Sequence, residues 1–256
     1  MGSTLLVETR DQVQWLTLNR PERRNALDRE IMTALREAIV KGGGDSAVRV
    51  LVVAGAGGAF SAGADLKANR EVPAQEDVLE VYYNPVIRAI RHARKPVIAA
   101  VDGVAAGYGC SLALACDIRL VSQRARLSVI FIKVGLGLDG GASYFLPRLV
   151  GLRAYELALT GGMVEAAEAE RIGLVNHVFP VDGFAERVQS YAAGLAGQAP
   201  IAMGKIKQSI DRALDAGLDE VLESERHHQQ EVLRTEDFNE GVRAFLEKRA
   251  AVYKGR

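Results

Sequence analysis

The sequence predicts an α/β fold: a parallel sheet covered by helices, followed by a helical C-terminal region. Three observations predict it. Strand, glycine loop and helix succeed one another twice in the first half, and the central strands are nearly unbroken apolar runs. From about Gly151 onward the apolar residues recur at helical spacing.

Taken in order, "LLVET" and "VQWLTLN" are β-rich runs separated by "RDQ", a hairpin signature. "DREIMTALREAIVKGGG" then sets Ile31, Leu35, Ala38 and Ile39 on one helical face and stops in glycines. "VRVLVVAG" reads as a buried strand, and after a glycine-rich loop "EDVLEVYYNPVIRAIRHA" reads as a helix. The pattern repeats with "KPVIAAVDG", a strand entering a glycine turn, and "YGCSLALACD", a short buried helix. Downstream, "AAEAERIGL", "GFAERVQSYAAGLAGQ", "APIAMGKIKQSIDRALDAG", "LDEVLESERHHQQEVLRT" and "EDFNEGVRAFLEKRAAVYKG" all read as helices. A boundary near residue 195 divides a core of residues 1–195 from a helical appendage of residues 196–256. That appendage is expected to pack on its own core or on a neighbouring subunit.

Composition narrows the function classes. Lys plus Arg number 32 and Asp plus Glu 32, and this balance argues against a nucleic-acid or membrane-surface partner. Small molecules or other protein chains are the expected partners. Cys110 and Cys116 sit in an apolar helical segment at a spacing that does not favour a bridge, so they are expected as buried thiols in a reducing compartment. The start "MGSTLLVETRDQ" lacks a basic stretch followed by an apolar one, and no apolar run approaches the ~20 residues of a membrane span. A cytoplasmic location is expected. His92, His177, His227 and His228 show no metal-ligand spacing and no evident nucleophile partner, so no metal is expected.

Two loops carry most of the chemistry: "GAGGAFSAGADLKA" and "DGVAAGYGCSLALACDI". Small residues let a ligand approach the backbone, and N–H groups at a helix start point outward without partners. Two such loops side by side could offer two N–H donors to one oxygen, the arrangement of an oxyanion hole. No Gly-Lys-Ser/Thr follows either loop, and "GAGGAF" ends in Phe60 where a dinucleotide fingerprint requires a small residue.

Together these segments resemble the enoyl-CoA hydratase/isomerase family, the crotonase superfamily. The resemblance is carried by "LNRPERRNAL", "FSAGADLK", "KPVIAAVDGVAAGYGCSLALACDI", "LPRLVG", "ALTGGMVEAAEAERIGLVNHVF" and "EGVRAFLEKRAAVYKG", and it covers essentially the whole chain. It implies a spiral of ββα repeats with a C-terminal helical region that builds trimers, often paired into hexamers. It also implies an acyl-CoA thioester as substrate, with coenzyme A part of that substrate and no separate cofactor. By position, the thioester oxygen would lie between the backbone N–H groups of Ala64 and Tyr108. Arg23 or Arg24 would face the CoA phosphates. Ala26, Ala62, Asp65 and Leu66 would line the pantetheine and adenine path, with Asp65 bracing its loop. Phe245 and Lys248 would reach a neighbouring subunit's adenine nucleotide.

Hydratases of this family carry two glutamates, whose matching positions here are Ser111 and Phe131. Neither can act alone as a general base. The remaining acid is Asp139, in "VGLGLDGGASYFLPRLVG", at a position where several isomerases of the superfamily carry an aspartate, including the phenylacetate-pathway epoxide-to-oxepin CoA isomerase. Asp139 can be read as the cap of a helix starting in "GGASYFL" or as a proton carrier in an apolar pocket near Ile130, Phe131, Leu138 and Tyr144. The favoured activity is a double-bond shift in an acyl-CoA, and the alternatives are an enoyl-CoA hydratase and a non-catalytic acyl-CoA binder. Tyr82, Tyr83 and Phe60 are read as aromatic core rather than acyl-pocket walls.

Overall fold

In the computed structural model, which describes residues 3–70 and 77–256, the chain opens with an antiparallel hairpin of β1 (Leu5–Arg10) and β2 (Val13–Leu18). Helix α1 (Arg29–Gly44) begins where the Asp28 carboxylate accepts the Ile31 N–H at 3.1 Å, and it buries Ile31, Met32, Leu35 and Ile39. Such a cap is worth about 1 kcal/mol. After β3 (Val50–Gly55) and α2 (Leu66–Arg70), the predicted helix of "EDVLEVYYNPVIRAIRHA" is a π-helical turn over Leu79–Tyr83 leading into α3 (Asn84–His92). Its first residue, Glu76, lies outside the described residues. Pro85 falls in the first turn of α3, where its missing N–H forfeits no bond of that helix.

Two ββα units follow. The first is β4 (Val97–Val101), β5 (Val104–Ala106) and α4 (Tyr108–Ala115). The second is β6 (Ile118–Ser122), β7 (Arg126–Ser128) and α5 (Ala142–Val150), with a 3-10 turn over Ile130–Val134. The chain continues through α6 (Arg153–Thr160), β8 (Val164–Glu165), α7 (Ala166–Arg171) and β9 (His177–Phe179). It ends in α8 (Phe184–Ala196), α9 (Pro200–Ala213), α10 (Leu218–Val232) and α11 (Glu236–Glu247). One sheet runs in the order β1-β2-β3-β4-β6-β9, parallel apart from β1, and β5-β7-β8 form a second. In both units the first strand joins the large sheet and the second joins the small one, which winds the chain into the spiral that the resemblance implies.

The central strands of the large sheet are buried on both faces. Leu51 and Val53 of β3 face the core that contains α1, α3 and α4, while Val50, Val52 and Ala54 face Phe184, Val188 and Ala192 of α8. Alternation thus supplies apolar residues to two cores at once, and this is why β3 reads as an unbroken apolar run. Each fully buried large side chain contributes roughly 1.5–3 kcal/mol.

Past Ala196 the chain turns at residues 197–199 into α9. The Asp117 carboxylate pins that helix to the core: it accepts Lys207 Nζ at 2.8 Å, Arg91 at 3.0 Å and the Val97 N–H at 2.8 Å. Arg91 also pairs with Asp211 of α9. Cys110 and Cys116 are buried free thiols, and burial pushes both up to about 12. Among the described residues, no helix is long and apolar enough to cross a membrane, and no group of His, Cys, Asp and Glu is arranged to hold a metal ion.

Candidate active site

The two glycine loops lie against each other. The N–H groups of Phe60 and Ser61 both donate to Val104 O at 3.0 Å, and Ala106 N–H donates back to Ser61 O at 2.9 Å. Gly63 sits at φ +96°, and a Cβ there would stand 2.7 Å from Ala106 O and 3.4 Å from Tyr108 N. The close approach of the loops therefore admits only glycine at this position.

That approach orients two backbone donors. Leu27 N–H donates to Gly63 O and Asp65 N–H to Leu27 O, both at 2.8 Å. In an extended segment the intervening residue points its N–H the opposite way, so Ala64 N–H faces away from Leu27. Tyr108 is the first residue of α4, whose leading N–H groups have no partner within the helix. Among the described residues, neither N–H has an acceptor. Such a pair can hold one negatively charged oxygen.

The Tyr108 ring turns away from this position into the core. Its hydroxyl donates to Tyr83 O at 2.7 Å, and the two rings meet edge to face with centroids 4.7 Å apart. Tyr83 in turn donates to Leu27 O at 2.7 Å, so Tyr83 and Phe60 are core residues, as expected, while Tyr82 is only partly buried against that core and the Tyr108 ring joins it.

Sequence reasoning overlooked the residues that hold the loops from behind. Asn25 is fully buried at φ 54°, and its amide donates to Ala56 O at 2.9 Å and Ala59 O at 2.7 Å while Oδ1 accepts Arg20 N–H at 2.9 Å. Ser61 Oγ donates to Asn25 O at 2.8 Å and accepts Gly63 N–H at 3.1 Å. The available signal was an Asn in "RRNAL", a residue type that tolerates left-handed backbone. Arg20, also overlooked, pairs with Asp28 at 2.6 Å and with Asp65 at 3.2 Å.

The residues expected on the CoA side gather at one rim. Asp65 is held by Arg20 and Arg23, each at 3.2 Å, and accepts Ala68 N–H at 3.1 Å. These bonds outweigh its burial and hold its carboxyl below the usual range. Ala62 N–H donates to Arg24 O at 2.9 Å, which brings Arg24 and Ala62 beside Ala26, and Leu66 is exposed at the start of α2. Phe245 and Lys248 lie elsewhere, at the end of α11. Phe245 is 83% exposed and borders a groove of about 390 Å³ shared with residues of α9 and α10.

Asp139 does not cap α5. The residue preceding that helix is Gly141, no side chain caps it, and the Asp139 carbonyl accepts Ala142 N–H at 3.0 Å. The carboxylate is half-buried, and its Oδ1 is enclosed with no hydrogen-bond partner among the described residues. Burial pushes the group up to about 6, and its charge helps to raise the Tyr108 phenol. Ser111 is fully enclosed and its hydroxyl lies 3.0 Å from Asp139 O; Phe131 is buried in the core. Tyr144 does not serve the Asp139 pocket through its hydroxyl, which donates to Asp215 at 2.8 Å.

Comparison with known proteins places this geometry. The model of the family described as "Enoyl-CoA hydratase/isomerase" matches residues 8–256. The chain belongs to the enoyl-CoA hydratase/isomerase family. Among its relatives, the 1,2-epoxyphenylacetyl-CoA isomerase of Escherichia coli K12 is 39% identical over the full length of both chains. A Rhizobium meliloti protein named "Probable enoyl-CoA hydratase" is 40% identical over 99% of this chain and 98% of its own. The crystal structure of enoyl-CoA hydratase from Bacillus anthracis superposes with a TM-score of 0.94 at 32% identity, covering 99% of this chain and 100% of that one. Enoyl-CoA hydratase/isomerase relatives thus carry both reaction names.

Proposed function

We propose that this chain is an acyl-CoA isomerase that shifts a carbon–carbon double bond, or rearranges an unsaturated acyl group, with Asp139 as proton shuttle. The thioester oxygen sits between the N–H groups of Ala64 and Tyr108, which stabilise the enolate as it forms. For a 3-enoyl thioester, the Asp139 carboxylate takes a proton from the α carbon. The C–H pair becomes the double bond between the carbonyl and α carbons as the carbonyl π pair moves onto the thioester oxygen. When the oxygen gives that pair back, the enolate pair moves to the α,β position and the former β,γ pair takes the proton at the γ carbon. Protonated Asp139 then returns the proton to the γ carbon, giving the 2-enoyl thioester with no other reactant.

One observation carries this reading: Asp139 is a half-buried carboxyl whose Oδ1 has no hydrogen-bond partner among the described residues and whose affinity for protons burial raises to about 6. Asp65 and Asp102, the acids that flank the two loops, are ion-paired with Arg20 and Arg23 and with Arg124, respectively, and these contacts hold both in the charged form, which makes them poor bases. Arg23 or Arg24, both exposed at the rim, meets the CoA phosphates, while Ala26, Ala62 and Leu66 flank the CoA path. Phe245, exposed on α11 with Leu246, supports assembly into a trimer or a pair of trimers, in which Phe245 and Lys248 reach a neighbour's nucleotide.

Conversion of trans-3-hexenoyl-CoA to the 2-enoyl isomer, followed at the thioester conjugation band, tests the reaction. The wild type should turn over, Asp139→Asn should not, and both should bind the substrate. Full turnover by Asp139→Asn overturns the assignment. Water addition, the second reading, draws support from the relatives' names. Against it, Ser111 is enclosed and its hydroxyl lies within bonding distance of Asp139 O, which leaves it poorly placed to hold a water for attack. Hydration of trans-2-hexenoyl-CoA decides between the two.

A further inference from the structure

We propose that Ser111 is a positioning residue: its hydroxyl fixes Asp139 in register with the peptide that supplies the Tyr108 N–H. The inference rests on the isomerase reading above.

Ser111 Oγ lies 3.0 Å from Asp139 O and 3.4 Å from Gly107 O. Gly107 O belongs to the same peptide unit as Tyr108 N–H, so one buried hydroxyl touches both the proposed oxyanion donor's peptide and the backbone of the proposed base. Ser111 N–H also donates to Gly107 O at 3.1 Å, fixing the serine to that peptide through the helix. Packing closes the same joint. Gly140 sits at φ +57°, and a Cβ there would lie 2.7 Å from Ser111 Cβ and 2.9 Å from Tyr108 Cε2. The Asp139–Gly140 turn therefore rests directly on the first turn of α4, and Ser111 ties it down.

A proton shuttle must span the α and γ carbons of a thioester whose oxygen is held elsewhere, so its distance from the oxygen-binding donors sets the rate. Misplacement by about 1 Å can cost ~10²-fold. Substrate contacts at the CoA rim are untouched by Ser111, so binding should not change with it.

Ser111→Cys and Ser111→Ala form a graded series, a weak donor of similar size and no donor. Turnover of trans-3-hexenoyl-CoA and exchange of its α and γ protons in deuterated water are measured against pH. The expected result is a kcat lowered about 10- to 100-fold in Ser111→Ala and less in Ser111→Cys, with KM within about 2-fold. The acid limb of the kcat profile should also move to lower pH, because an untethered Asp139 gains access to solvent. A wild-type kcat in Ser111→Ala, or a lowered kcat with an unmoved acid limb, overturns the positioning role. Asp139→Asn run in parallel separates the two levels. If it retains full turnover, or if the wild type exchanges no protons, the isomerase reading fails. If it is inactive while Ser111→Ala matches the wild type, the tether alone fails.

Discussion

Replacing Asp139 by Asn should remove turnover and, at neutral pH, stabilise the protein. Burial raises the carboxyl from 3.8 to about 6, a shift worth up to about 3 kcal/mol at ~1.36 kcal/mol per unit. The group is only half-buried, so solvent screening reduces this to roughly 1–2 kcal/mol. The sign follows from the direction of the shift. The folded state holds the proton more tightly than the unfolded state, so the penalty is absent below the unfolded value. It grows as pH rises between the two values, and is complete above about 6. Asparagine, which does not ionise, carries no such penalty. Thermal melts across pH should therefore show Asp139→Asn gaining on the wild type as pH rises from 4 to 7, by about 2–8 °C at pH 8. A difference that is zero at pH 8, or constant across the series, would refute the claim that an uncompensated buried charge sits at this position.

Further outcomes follow from the same geometry. Wild-type kcat/KM should fall about tenfold between pH 7.5 and pH 5, as a base near 6 is protonated, and a flat profile over that range would exclude Asp139 as the base. Gly63→Ala, forced to place a Cβ 2.7 Å from Ala106 O, should lower kcat by about 10²–10³-fold through displacement of the Ala64 N–H, with circular dichroism unchanged. Asn25→Ala removes three side-chain hydrogen bonds behind the loops and should cost about 2–4 kcal/mol in urea unfolding.

Much of the large sheet was legible because its central strands are buried on both faces: β3 and β4 show unbroken apolar runs, and α1 shows its cap and stripe. The small sheet was not, because β5 and β7 have three residues each and β8 has two, too few to display a period. Asp139 could also be read as a cap because an acid precedes an apolar helical run. Two glycines at φ +57° and +77° intervene, and the left-handed turn they make places the helix start at Ala142, out of step with the carboxylate. Asn25 and Ser61 were invisible for a different reason. The partners through which they hold one loop to another lie 31 to 36 residues away in sequence, and a local pattern cannot show a contact that only the spiral creates.

The same first turn of α4 also limits what the pocket can hold. All eight residues of that helix are buried, so its side chains are wedged between neighbours and none is free to swing into solvent. Position 111 faces the Gly140 turn at a distance that leaves no room for even one added carbon on the facing residue. A glutamate at 111 would have to lift that turn, and with it Asp139, away from α4, and it would also remove the hydroxyl that reaches Asp139 O. Introducing a second acid by Ser111→Glu therefore should not yield hydration of trans-2-hexenoyl-CoA. It should lower isomerisation while the displaced Asp139 prevents the two carboxyls from sharing one substrate face. In this geometry a small hydroxyl residue on α4 and a close-packed aspartate on the following loop form one arrangement, and a two-acid pocket requires a different path for residues 139–141.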